Sequence, residues 1–136
     1  VLLTDTVGFI QKLPPTVLAA FRATLEEIAE ATLVLHVADI SHPNAAEQAD
    51  VVDRILGDLG VDGTPRILVL NKIDLLEIGS VGPEQIAVGR PDGLTDTVLT
   101  SALNGTGLDD LRMRLDTAVG SLPSSAEAAL ASIASG

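Results

Sequence analysis

No cysteine occurs among the 136 residues. A disulfide framework and a thiolate metal site are therefore both excluded, and the composition fits a reducing compartment. Tryptophan and tyrosine are absent too, and two phenylalanines bring the aromatic content to 1%. A core must then be built almost wholly from aliphatic side chains. Basic residues are scarce: 8 Lys and Arg stand against 19 Asp and Glu, giving a net charge of −11. Phosphate contacts need Lys and Arg, so this balance argues against a direct grip on nucleic acid and fits a solvated acidic surface. No apolar run reaches the roughly 18 residues needed to span a bilayer, and no signal peptide is visible. The chain opens at Val1, without Met, directly in a strand-like run. It reads as a piece of something longer.

What is present is aliphatic and alternating. Hydrophobic residues make up 46% of the chain and mean hydropathy is +0.40, ample for one core. Leu, Val, Ile and Ala at this density suggest a parallel sheet buried on both faces by helices. Val1–Asp5 is a short apolar run ending in Asp. After Pro14 and Pro15, Leu18, Phe21, Leu25 and Ile28 recur at steps of three and four, a helical stripe. Leu33–Asp39 is a second buried strand, also ending in Asp. Asn44 with Glu47 predicts a helix cap, and Val51, Val52, Ile55, Leu56 and Leu59 form that helix's inner face, with Gly60 as its stop. Ile67–Leu70 is a third strand, and Gly79 to Gly93 is loop. Thr97–Thr100 is a fourth strand. Thr106 is placed to cap a last helix with Leu108, Leu111, Leu115 and Val119 inward. Residues 121–136 form an Ala- and Ser-rich tail, expected to be a loose helix or disordered. The order is that of a parallel α/β sheet, in which ligands bind beyond the carboxyl ends of the strands.

Three segments follow predicted strands and so converge on that edge. Asp5-Thr6-Val7-Gly8 offers a carboxylate suited to magnesium, held through water because this ion keeps much of its hydration. Gly8 permits close approach of a backbone N–H to a phosphate oxygen. Alone, D-x-x-G reads sooner as a strand-ending turn. Asn71-Lys72-Ile73-Asp74 is more specific. Guanine presents two adjacent N–H donors that one carboxylate accepts together, and adenine lacks that pair. Asp74 would therefore be the base-reading residue. Lys72 would lay its stem along the base plane with its ammonium near the ribose, and Asn71 would tie the loop to its neighbours. Ser101-Ala102-Leu103 follows the fourth strand, and the Ala102 N–H could donate to the guanine carbonyl. The structural alternative for all three is polar loop after a buried strand. His36 reads as a satisfied core histidine, His42 as a turn residue without a second ligand, and Arg22 as part of a solvated helix face.

In this order the segments resemble the third, fourth and fifth motifs of the P-loop GTPases. Thr4–Ile10, Leu13-Pro14, Ala20–Glu27 and His36–Pro43 narrow the likeness to the HflX family of translation-associated GTPases. The likeness covers most of residues 1–120. It implies a partial G domain over 1–120, an α/β fold of P-loop NTPase type lacking its first strands and its phosphate loop. It also implies a GTP-binding and GTP-hydrolysing, ribosome-associated protein. Nucleotide contacts would come from Asp5, Gly8, Asn71, Lys72, Asp74, Ser101 and Ala102. GTP or GDP would be bound with Mg2+, Asp5 being the metal-side carboxylate. The large ribosomal subunit would be the partner and the cytoplasm the location. No catalytic residue is assigned: Phe9 occupies the place where Ras-like GTPases carry a water-positioning glutamine, so slow hydrolysis that needs a partner is expected.

The family's G-x-x-x-x-G-K-[ST] loop does not occur in residues 1–136. Leu103–Gly107 imitates it without the lysine. In P-loop GTPases the strand before that loop lies between those matching Val1–Asp5 and Leu33–Asp39. Here the first strand is expected to close against the second or to hang on an exposed edge, leaving the chain less stable than its composition suggests. Two readings compete with a severed GTPase half. One is a non-catalytic α/β interaction module derived from a GTPase, without nucleotide turnover. The other, a receiver-like or flavodoxin-like domain using Asp39 or Asp5, leaves Asn71–Asp74 unexplained.

Overall fold

The computed structural model describes residues 2–5, 26, 28–61, 63–76, 94–122 and 129–135. The elements are β1 (Leu2–Asp5), β2 (Leu33–Asp39), α1 (Ala45–Asp58), β3 (Arg66–Asn71), a 3-10 turn (Ile73–Leu75), β4 (Leu94–Leu99), α2 (Leu108–Gly120) and β5 (Ala129–Ser135). All strand pairs are parallel, in the order β1-β5-β2-β3-β4. The α/β architecture read from the alternating pattern is what the chain adopts.

Two faces of the sheet are packed separately, because successive residues of a strand point to opposite sides. On one face Val34, with Ile28, Ala31, Val61 and the helix residues Val52 and Leu56, forms a buried cluster. Toward the carboxyl edge Ala38, Leu68 and Leu70 meet Ala45 and Ala49. The buried residues of α1 are Ala45, Ala49, Val52 and Leu56, a stripe at steps of four, three and four. On the other face Leu33, Leu35, Ile67, Val69 and Val98 pack under Leu111, Leu115 and Ala118 of α2. No residue of α2 is fully buried, so its grip on the sheet is lighter.

The predicted caps are corrected. Asn44 precedes α1 but makes no side-chain cap hydrogen bond; its N–H donates to His42 Nδ1 at 3.1 Å and its carbonyl accepts from the Gln48 N–H at 2.9 Å. Gly107, not Thr106, precedes α2, with φ of 76°. Thr106 instead closes the loop before it, its carbonyl accepting from the Ser101 N–H at 2.9 Å.

The larger correction concerns residues 129–135. They form neither a loose helix nor a disordered tail but a strand within the sheet. β5 pairs with β1 from Leu2↔Ala129 to Asp5↔Ser132 and with β2 from Leu33↔Leu130 to Ala38↔Ser135. Hence β1 does not close against β2; it is the edge strand of the described sheet, as the other arm of the sequence reading expected, but β5 rather than β2 is the strand it pairs with. The physical reason is backbone accounting: two parallel strands one strand-width too far apart leave two rows of N–H and C=O groups to satisfy. Ala129-Leu130-Ala131-Ser132-Ile133-Ala134-Ser135 has no proline and only small or aliphatic residues, so it extends without steric cost. Ala131→Pro removes an N–H from a strand paired on both sides, a position proline does not tolerate. We expect a loss of about 1–3 kcal/mol and early release of β1, read by thermal unfolding and by proteolysis at residues 129–135. Unfolding identical to that of the wild type would show that the strand contributes nothing.

His36 is 2% exposed. Burial, with the Arg66 guanidinium adding to it, lowers its pKa from 6.5 to about 3, so it stays neutral at physiological pH, as a core histidine should. The unfolded chain binds this proton below 6.5 while the folded chain refuses it until about 3. Stability must then rise with pH across that window and fall on acidification. Between pH 6.5 and 5 we expect a loss on the order of 1 kcal/mol per pH unit, measured as a falling urea midpoint. In His36→Leu that slope should disappear. Arg66, itself 4% exposed, donates to Asp53 Oδ1 at 2.6 Å and so pins α1 to the start of β3.

Candidate functional site

Because every strand is parallel, Asp5, Asp39, Asn71 and Leu99 end their strands at the same edge of the sheet. Asp39 and Asn71 are register partners. Asp5 pairs with Ser132, and Ser132 with Leu35, so Asp5 lies level with a residue four positions before Asp39. The side chain of Asp5 lies outside the described residues, as do Gly8, Phe9 and Arg22.

The loops after β3 and β4 are cross-tied. The Asn71 carboxamide oxygen accepts from the Ala102 N–H at 3.0 Å and from the Thr100 hydroxyl at 3.3 Å. The Ile73 N–H donates to the Thr100 carbonyl at 3.2 Å. Ser101 is fully buried, and its hydroxyl donates to Asp74 Oδ1 at 2.5 Å. Ser101 is fastened in turn by its own turn, its carbonyl accepting from the Gly105 N–H at 2.9 Å. Asp74 is exposed. A carboxylate oxygen has two lone pairs, so Asp74 can keep the Ser101 bond and still accept two N–H donors from a base edge.

Two placements differ from the sequence reading. The Ala102 N–H, expected to face a guanine carbonyl, is taken by Asn71; a base would share it in a three-centre bond. Lys72, expected to lie along a base, has its ammonium 2.5 Å from Asp39 Oδ2. Lys72 also holds φ of 70°, the one described non-glycine residue in the left-handed region. Such a backbone costs on the order of 1–3 kcal/mol and persists where neighbours over-determine it. Here they are the Ile73–Thr100 bond and the 3-10 turn, whose Leu75 N–H donates to the Lys72 carbonyl at 3.0 Å.

Asp39 and Thr100 are the site-edge residues the sequence reading missed as partners of residues 71–74. Asp39 ended a predicted strand at the ligand edge, and that position was the available signal. Burial would raise the Asp39 pKa, but bonds from Lys72 and Ser41 outweigh it and hold the carboxyl below its ordinary value. It is therefore ionised at neutral pH.

A cavity of about 310 Å3 adjoins this edge, lined by Ile40, Ser41, His42, Pro43, Leu75 and Leu76 among others. A larger one, about 520 Å3, lies toward the amino ends of β2 and β3, with Leu33, Pro65, Ile67, Met113 and Arg114 in its wall. It is far from the converging loops and belongs to the lightly packed underside of α2. There Arg114 bonds Asp96, and donates to Asp110 at 3.1 Å. Among the described residues no group of three or more His, Cys, Asp or Glu is arranged to hold a metal ion, and no helix is long and apolar enough to cross a membrane.

No protein-family model matches the chain. Curated relatives do. A protein named GTPase HflX from Caldanaerobacter subterraneus subsp. tengcongensis is 49% identical over 82% of this chain and 23% of its own length. The GTPase HflX of Magnetococcus marinus is 42% identical over 88% of this chain and 26% of its own. That of Escherichia coli is 38% identical over 80% and 25%. The chain thus spans about a quarter of the length of the relatives it matches. Among solved structures, a GTP-binding protein from Sulfolobus solfataricus in complex with GDP superposes with a TM-score of 0.74 at 29% identity, over 88% of this chain and 40% of that one. The cross-tied loops at the carboxyl edge, the parallel sheet and these likenesses agree: the chain belongs to the HflX family of P-loop GTPases.

Proposed function

We propose that this chain supplies base recognition and the metal-side carboxylate of an HflX-type GTPase that binds GTP and GDP, hydrolyses GTP and associates with the large ribosomal subunit. The observation that carries the reading is the pair of cross-tied loops that fix Asp74 through Ser101 at 2.5 Å while leaving it exposed. Asp74 would accept the two guanine N–H donors, Asn71 would set the spacing of the two loops, and Lys72 would cover a base face. Asp5, ending β1, would hold Mg2+ through water. A lone carboxylate suits a metal that arrives with the nucleotide, since Mg2+ is commonly bound by one or two carboxylates plus phosphate oxygens. The ion, when bound, would neutralise charge on the phosphates. With Phe9 unable to orient water, hydrolysis is slow without a partner, and ribosomes accelerate it.

Calorimetry on the full-length protein tests the reading. GDP should bind and ADP should not, and equal affinity for both would remove the guanine assignment. Residues 1–136 alone contain no glycine loop, so they should bind GDP weakly or undetectably; micromolar affinity would overturn that expectation. Co-sedimentation with ribosomes, and equal GTP turnover with and without them, test the partner.

A second reading has one observation in its favour. β5 occupies the slot between β1 and β2, where the family resemblance puts the strand leading into the glycine loop. A chain that keeps β5 there is a complete sheet without a phosphate cradle, hence an interaction module without turnover. It predicts no nucleotide binding by the full-length protein.

A further inference from the structure

Asp39 is given no role in the nucleotide site above, yet its carboxylate is held more tightly than a surface acid needs. Its Oδ1 accepts from the Ser41 N–H at 3.0 Å and from the Ser41 hydroxyl at 2.6 Å. These two bonds span two residues and close the turn after β2, so they fix the carboxylate's rotamer before any partner arrives. Its Oδ2 receives the Lys72 ammonium at 2.5 Å. The Asp39 side chain is 17% exposed and that of Lys72 is 50% exposed, so the anchor is mostly sheltered and the lysine is not. The register adds precision. Asp39 pairs with Asn71, the residue before Lys72, and the Ile40 N–H donates to the Asn71 carbonyl at 3.0 Å. The anchor and the base loop are therefore parts of one ladder and cannot drift apart.

Lys72 is a flexible four-carbon stem that would ordinarily sample many rotamers, and ordering it costs up to about 2 kcal/mol. Its backbone is already fixed in the left-handed region by the 3-10 turn. With both ends held, the stem between them is drawn out along the carboxyl edge, from the base loop toward β2. We propose that Asp39 is a positioning residue for Lys72: it pre-orders the lysine stem as a platform for a purine ring, and so sets nucleotide affinity without touching the nucleotide. This rests on the guanine-site reading given above.

The test is a double-mutant cycle in the full-length protein, with the equilibrium affinity for a fluorescent GDP as readout. Asp39→Asn should weaken binding about three- to fivefold, the range of a half-exposed charge pair. In a Lys72→Met background the same change should cost less than about 1.5-fold, because there is no ammonium left to position. Asp39→Glu, which restores the charge on a longer arm, should recover part of the loss. Should Asp39→Asn fail to fold, Ser41→Ala keeps both charges and the backbone N–H bond at 3.0 Å but removes the hydroxyl bond at 2.6 Å, loosening the carboxylate's rotamer; it should weaken binding about twofold with Lys72 present and not at all without it. Equal losses in both backgrounds, or wild-type affinity in Asp39→Asn, would overturn the proposal while leaving guanine binding intact. Absence of GDP binding by the wild type would remove the site reading and this proposal together.

Discussion

Replacing Asp74 by alanine is expected to lower the affinity of the full-length protein for GDP by a hundredfold or more. The N1–H and exocyclic N–H of guanine both point along one edge. A carboxylate accepts both at once, and each such charge-assisted bond contributes on the order of 1.5–3 kcal/mol. Losing two therefore removes at least about 3 kcal/mol, and each 1.4 kcal/mol is a factor of ten. Asp74→Asn should lose almost as much for a different reason: an amide turns its N–H2 toward a donor edge. That variant should gain relative affinity for xanthine nucleotides, which carry a carbonyl where guanine carries the amine. Ser101→Ala separates recognition from loop architecture. It removes the hydroxyl that donates to Asp74 at 2.5 Å but leaves the carboxylate, so its cost should stay within about tenfold. Competition of GDP, XDP and ADP against a fluorescent GDP measures all three variants. A GDP affinity within threefold of the wild type in Asp74→Ala would put base recognition elsewhere.

How far the sequence alone reached follows from which forces act locally. Leu33–Asp39 was legible to the residue because a mostly aliphatic run preceded by Thr32 and closed by Asp39 admits little but a buried strand, and β2 has those bounds. The helical stripe through Val52 and Leu56 was legible for a similar reason: its period of 3.6 is a property of the segment itself. The convergence of Asp5, Asn71 and Ser101 on one edge followed from parallel connections. What stayed hidden depends on partners distant in sequence. Nothing within Ala129–Ser135 demands a strand; small residues are as compatible with a helix. The demand comes from β1 and β2, whose facing backbone rows it satisfies. The Thr106 cap failed because Gly107 takes a positive φ, which moves the helix start on by one residue. The Lys72–Asp39 pair is separated by 33 positions and becomes visible only once the β2–β3 register is known. Local periodicity therefore names elements, whereas register decides which side chains meet at the site.

Gly107→Ala should be the most damaging single methyl addition among the described glycines. A Cβ built at Gly107 falls 1.9 Å from the Leu99 carbonyl oxygen, 3.0 Å from the Leu99 carbonyl carbon and 3.3 Å from the Thr100 Cα. All three are backbone atoms, so no side-chain rotation relieves the overlap; β4 or the start of α2 must move. The φ of 76° adds the usual left-handed penalty of about 1–2 kcal/mol for a residue with a Cβ. Gly105→Ala isolates that penalty, because Gly105 has φ of 84° with nothing within 4 Å of its added Cβ. The comparison therefore reads the overlap directly. Gly105→Ala should lower the melting temperature by a few degrees, at roughly 4 °C per kcal/mol for a domain of this size. Gly107→Ala should lower it by at least twice as much or abolish cooperative unfolding. The damage reaches the site as well. Leu99 and Thr100 lead directly into Ser101, and the Thr100 carbonyl and hydroxyl hold Ile73 and Asn71. Displacing that backbone slackens the ties that hold Asp74 in place, so GDP affinity should fall in Gly107→Ala even at temperatures where the protein remains folded, and should stay near wild type in Gly105→Ala. Equal melting temperatures for the two variants would mean that the Leu99 carbonyl yields freely and that the β4–α2 junction is not the rigid support of residues 71–74.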